Sequence, residues 1–147
     1  MVASKAGRQL DRSAMHLLHR AGQCATDIFL AEARLSGLTP RQFAVLMTIA
    51  EEEGLTQTEL VERTGIDRST LADIVARLLG RGLIQRRRAK DDARAYAIKL
   101  SAQGAKSLRD AEPGAVSADT RLLAPLPPAK RQDFIDQLNL IVTAVRK

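Results

Sequence analysis

The chain has 147 residues and 23 Lys and Arg against 17 Asp and Glu, a formal charge of +6; its 45% hydrophobic content excludes a disordered chain. Aromatics are only 3%, so the core must come from Leu, Ala, Ile and Val, which suits packed helices better than a β-sandwich. One cysteine, Cys24, excludes an intramolecular disulfide, and no stretch has the apolar length of a signal peptide or a membrane span, so a cytoplasmic protein is expected.

The elements follow in order. From about Gln9 to Leu35, the residues Leu10, Ala14, Leu17, Leu18, Ala21, Ala25, Ile28 and Phe29 recur at helical spacing, and Ser36-Gly37 ends the run. Thr39-Pro40-Arg41-Gln42 reads as a capping box with Pro in the first turn, opening a helix that buries Phe43, Leu46, Met47 and Ile49/Ala50 and stops at Gly54. Thr56-Gln57-Thr58-Glu59 is a second capping box, for a short helix with Leu60 and Val61 inward, closed at Thr64-Gly65. Asp67 caps a third helix with Leu71, Ile74, Val75, Leu78 and Leu79 on one side, ended by Gly80-Arg81-Gly82.

The period then changes from helical to alternating. Leu83-Ile84-Gln85 is short and apolar, Arg86 to Arg94 is charged, and Tyr96, Ile98 and Leu100 alternate, so 83–100 is expected to be a β-ribbon with a basic loop. Ser101 caps a further helix that should end or kink near Pro113-Gly114. After Pro125, Pro127 and Pro128 comes a last helix with Phe134, Leu138, Ile141 and Val145 on one stripe. The fold class is therefore mainly α with a small β-ribbon (α+β). The central unit is small, and the terminal helices are expected to bury each other across a two-fold axis.

Val61, Gly65, Leu71 and Ile74 stand at the spacing of two helices crossed about a tight turn, where Gly65 allows the close approach. The outward face of the second helix offers Arg68, Ser69, Thr70, Ala72, Asp73, Ala76 and Arg77, suited to phosphates and base edges in a major groove. Directly after it come five cations, Arg86, Arg87, Arg88, Lys90 and Arg94, with two carboxylates, Asp91 and Asp92, a run that a wing would lay along a DNA backbone. Asp92 could brace Arg94 for a minor groove.

These segments, LTPRQFAVL (38–46), TQTELVERTGIDRSTLADIVARLLGRGLIQRR (56–87) and KDDARAYAIKLSAQG (90–104), resemble the MarR family of winged helix-turn-helix regulators. The resemblance implies one MarR-type domain over 1–147, with a DNA-binding lobe at 40–104 between dimerisation helices at 8–36 and 105–147. It further implies a homodimer, often a repressor, on near-palindromic double-stranded DNA, with the helix from Asp67 in the major groove and Arg94 in the minor groove. Asp92-Ala93-Arg94 matches the family's Asp-x-Arg, although many members carry another Arg at the place of Ala93. Asp73 stands where many relatives are basic or neutral, and either pairs with Arg77 or reads a cytosine amino group; the pair is expected.

Proteins of this kind release DNA on binding a small, often aromatic or anionic compound. Candidate contacts are His16, His19 and Arg20 for a phenol or carboxylate and Phe43 and Met47 for an apolar wall, with an aromatic carboxylate or an aromatic acyl-CoA as the effector. Some relatives sense peroxide through a cysteine of the first helix; here Met15 stands nearer to that spacing, and Cys24 is expected to be a buried structural thiol. The sequence shows no phosphate-cradling Gly loop, HExxH, CxxC or GxSxG, so no enzyme, cofactor or metal site is expected. A winged helix used as a protein-binding platform is the remaining alternative.

Overall fold

The computed structural model describes residues 9–88 and 96–145, in two compact units, Phe29–Ala115 and the pair of segments Met1–Ile28 and Val116–Lys147. The described elements are α1 (Ala14–Glu32), a 3-10 turn (Arg34–Ser36), α2 (Pro40–Glu51), α3 (Gln57–Thr64), α4 (Arg68–Gly80), β1 (Ile84–Arg88), β2 (Tyr96–Leu100), α5 (Ala102–Leu123) and α6 (Pro128–Val145). This is the expected mainly helical architecture with a two-stranded antiparallel ribbon.

The core of the central unit is aliphatic. Val45, Leu46 and Ile49 of α2, Leu60 of α3, Leu71, Val75 and Leu78 of α4, and Leu83, Ile84 and Ile98 of the ribbon are all buried in one cluster. Their spacing makes each helix amphipathic, and burying these branched side chains drives the folding of the lobe. Both expected capping boxes form: Thr39 Oγ1 accepts from the Gln42 amide at 3.2 Å, and Thr56 Oγ1 from the Glu59 amide at 3.2 Å. Gly65 takes a left-handed φ of 71° where α3 ends.

The ribbon pairs Ile84 with Leu100, Arg86 with Ile98 and Arg88 with Tyr96. It has a further edge: the Ile98 amide donates to the Leu55 carbonyl at 2.9 Å and the Gly54 amide to the Ile98 carbonyl at 3.2 Å. The loop from α2 to α3 is thereby stitched to β2.

Several expectations are corrected. The first helical run is broken at 11–13, because the Ser13 hydroxyl accepts from the His16 amide at 3.3 Å and caps a fresh helix. α2 stops at Glu51, before Gly54, and Ala50 is exposed. α5 does not end at Pro113 but runs through it to Leu123. Proline forfeits one backbone hydrogen bond, and the adjoining Gly114 sits so close to the Glu32 carbonyl and Ala33 that a Cβ there would lie 2.6 Å from that oxygen. This close approach, with Leu108 and Ala111 buried in the core, offsets the local penalty. Cys24 is exposed rather than buried, because it lies on a side of α1 shared with Arg20, Ala21 and Asp27, all exposed.

The second unit has little core of its own. Among its described residues only Ala118 is buried, while Leu10, Met15, Leu17, Leu18, Val116, Phe134, Ile135, Leu140, Ile141, Val142 and Val145 are all exposed. Arg131 fixes the turn between α5 and α6, donating to the carbonyls of Leu123, Ala124 and Leu126 at 3.1–3.2 Å. No described helix is long and apolar enough to cross a membrane.

Candidate nucleic-acid interface

The site begins with the cap of α4. Asp67 Oδ1 accepts from the Thr70 amide at 2.8 Å and Oδ2 from the Thr70 hydroxyl at 2.7 Å. These two bonds, with help from the Arg41 charge, hold the Asp67 carboxyl below its ordinary value of 3.8. The folded value lies below the unfolded one, so the cap contributes fully above the ordinary carboxylate range and is lost as pH falls through the folded value. Asp67→Asn should therefore flatten the acid limb of the melting temperature, measured by circular dichroism from pH 6 to pH 3; an unchanged acid limb would count against the cap.

The cap orients α4 so that Leu71, Ile74, Val75 and Leu78 face the core, leaving Arg68, Ser69, Ala72, Asp73, Ala76 and Arg77 exposed. Thr70 is half-buried, and its hydroxyl proton is committed to Asp67. Arg77 Nε donates to Asp73 Oδ2 at 2.9 Å, the expected i, i+4 pair. Both groups are largely exposed, so the bond orients the guanidinium more than it stabilises the helix. At the far end, Arg81 Nη1 donates to the Gly37 carbonyl at 3.0 Å and ties the end of α4 to the turn before α2.

Arg86, Arg87 and Arg88 lie on β1, paired with β2, and not in a basic loop as the charge run suggested. Backbone pairing satisfies the ladder whatever the side chains carry, and the cationic heads remain exposed. The Arg86 guanidinium stacks 5.1 Å from the Tyr96 ring centroid, which stiffens it. Lys90, Asp92 and Arg94 lie outside the described residues, as does the proposed brace between the last two.

Sequence reasoning missed three contributors. Arg41, in the first turn of α2, is near enough to Asp67 to act on its charge. Gln57 and Thr58 open α3 and, with Val61 and Arg68, line a recess of about 200 Å³ beside the start of α4. The second capping box carried the signal for Gln57 and Thr58, since a helix start offers free backbone donors to an anion. Of the effector candidates, His16, His19 and Arg20 are on α1, where His16 is half-buried and the other two exposed. Phe43 and Met47 are half-buried on α2, with Phe43 5.5 Å from the Phe29 ring. Among the described residues no group of His, Cys, Asp and Glu has a metal-holding arrangement.

Comparison with known proteins agrees with this geometry. A profile described as the MarR family matches residues 36–95. Transcriptional regulator HosA of Escherichia coli O127:H6 is 35% identical over 129 residues, covering 88% of this chain and 93% of HosA. The transcriptional repressor CouR, solved on a 23-mer DNA duplex, superposes with a TM-score of 0.86 at 29% identity, over 96% of this chain and 99% of CouR. CouR was also solved with p-coumaroyl-CoA, at a TM-score of 0.83, 27% identity and coverage of 91% and 94%. BpsR of Bordetella bronchiseptica, whose DNA binding is regulated by 6-hydroxynicotinic acid, gives a TM-score of 0.84 at 27% identity, over 89% of this chain and 94% of BpsR.

Proposed function

Because the chain belongs to the MarR family of DNA-binding regulators, we propose that it is a homodimeric repressor of a near-palindromic operator, released by an aromatic acid or its CoA thioester. It is a regulator rather than an enzyme, as its relatives are. One observation carries the DNA-contact assignment: the capped α4 leaves Arg68, Ser69, Asp73 and Arg77 outward, and the next element, β1, brings Arg86, Arg87 and Arg88 to the surface. Small side chains at Ala72 and Ala76 let the helix backbone approach bases. Thr70 contributes through the rigidity of the cap. Lys90, Asp92 and Arg94 match the family's wing and are assigned to the minor-groove contact by that resemblance alone.

The exposed apolar side chains of the second unit support the dimer. A face of this extent on a monomer would be an aggregation liability, and a second copy is the self-complementary occupant. The ligands of CouR and BpsR support the effector class. In this chain the candidate contacts are His16, His19 and Arg20 for a phenol or carboxylate, and Phe43 and Met47 for an apolar ring.

The test is a titration of purified protein into labelled DNA from its own promoter at several salt concentrations, alongside Arg94→Ala. Affinity should fall steeply with salt, with a log–log slope of about −0.9 per phosphate neutralised. Arg94→Ala should cost roughly 1–3 kcal/mol. An aromatic acid or thioester should release the complex. Salt-independent binding, or none, would turn the assignment toward a protein-interaction platform.

A further inference from the structure

The ribbon carries a recess distinct from the outward face of α4. It is an open recess of about 190 Å³ lined by Glu53, Gly54, Arg87, Ala97, Ile98 and Lys99. The register explains how it is made. Arg87 pairs with Ala97 and Gln85 with Lys99, so Arg87 and Lys99 are diagonal neighbours on one face of the ribbon, roughly 7–8 Å apart at their backbones. Two long cationic side chains at that spacing can close on one oxyanion, Arg by its planar fork and Lys as a point charge. Gly54 has no side chain and Ala97 only a methyl, which keeps the recess open beneath them. The volume is below the range of drug-sized pockets, about 300–1,000 Å³, and suits a single phosphate group.

Its place along the chain indicates which phosphate. From Gly54 the backbone passes through Leu55, bonded to Ile98, to Gln57, where the recess of about 200 Å³ with Thr58 and Arg68 opens. Two recesses of similar size, each holding an arginine, are thus linked by a few residues between the wing and the recognition helix. A nucleic-acid backbone presents phosphates at regular intervals, and serial recesses are what such a ligand would use. We propose that Arg87 and Lys99, over Gly54 and Ala97, form a phosphate site that grips the operator backbone at the base of the wing. Glu53 lines the same recess, and its negative charge weakens that grip on a phosphate. This inference rests on the DNA-binding reading and adds Lys99 and Glu53 to it.

The experiment repeats the salt titration with Lys99→Gln, Ala97→Leu and Glu53→Gln. Lys99→Gln should make the log–log slope shallower by about 0.9 and weaken specific and random duplexes equally. Ala97→Leu, which fills the recess without changing charge, should weaken both as well. Glu53→Gln should tighten binding by about two- to fivefold, a gain that simple damage to the fold would not produce. Wild-type slope and affinity in Lys99→Gln and Ala97→Leu would overturn the site while leaving the DNA-binding reading intact. Absence of DNA binding by the wild type would overturn both. Amide shifts in nuclear magnetic resonance separate the sources: the duplex should shift Gly54, Ala97 and Lys99. If inorganic phosphate shifts them at matched ionic strength and the duplex does not, the site takes a free anion and the assignment to DNA is overturned.

Discussion

Gly104→Ala should destabilise the protein by about 3 kcal/mol or more, a large part of an ordinary domain's stability. A Cβ at Gly104 would lie 1.8 Å from the Leu83 carbonyl oxygen and 2.8 Å from its carbon. Both partners are backbone, so no side chain can swing aside. The same oxygen accepts from the Ser101 amide at 3.1 Å, and Ser101 Oγ donates to the Gly82 carbonyl at 2.6 Å while accepting from the Gly104 amide at 2.9 Å. Pushing α5 away would break the corner where the ribbon starts and α5 is capped. Gly22→Ala is the matched control, because nothing lies within 4 Å of its would-be Cβ. In the exposed middle of α1 it should stabilise by roughly 0.5–1 kcal/mol. Urea denaturation reads both, as midpoint shifts of opposite sign at nearly constant m-value. Equal midpoints for the two variants would contradict the packing at Leu83.

The second large effect concerns assembly. Ile141→Glu combined with Val145→Glu places two charges on α6 where the side chains are 50% and 78% exposed in the single chain. Were α6 a free surface, the change would be nearly silent and would raise solubility. With a second copy covering it, desolvating two carboxylates opposes association, and the protein should sediment as a monomer. Operator affinity should then fall by about 100-fold or more, since two linked readers gain an effective concentration that separate ones lack. Asn139→Glu, at a polar exposed position of the same helix, controls for added negative charge. A variant that stays dimeric in analytical ultracentrifugation would place the dimer interface elsewhere.

Which features were legible in the sequence follows from the range of the forces involved. Thr39 with Gln42, Thr56 with Glu59, and Asp67 before Arg68 are contacts within one turn, and their spacing alone announces them. The apolar periods of α2 and α4 are equally local, and the Asp73–Arg77 pair is one turn long. Pro113 left an end or a kink open, and the helix does not end there, for the complementary reason. Its penalty is local, whereas the packing of Gly114 against Glu32 and Ala33 that keeps α5 continuous joins residues about 80 apart. The hydrogen bonds from Ile98 to Leu55 and from Arg81 to Gly37 also depend on the tertiary fold, and no sequence period signals them. At Arg86–Arg88 charge hid a strand: side-chain type dominated the reading, while pairing with 96–98 decided the conformation. Cys24 was misjudged because a thiol's usual burial says nothing about which side of α1 it occupies.

The stacking of Arg86 on Tyr96 has an optical consequence. The chain contains one tyrosine and no tryptophan, so excitation near 280 nm addresses a single ring, held beneath a guanidinium at the end of the paired ribbon farther from Ile84 and Leu100. Emission from the unlabelled protein therefore originates at one known position, 5.1 Å from a group that a phosphate would draw away. Quenching by iodide compared with acrylamide would register the positive field around that ring. The wing carries its own fluorophore, and the native sequence needs no engineered reporter there.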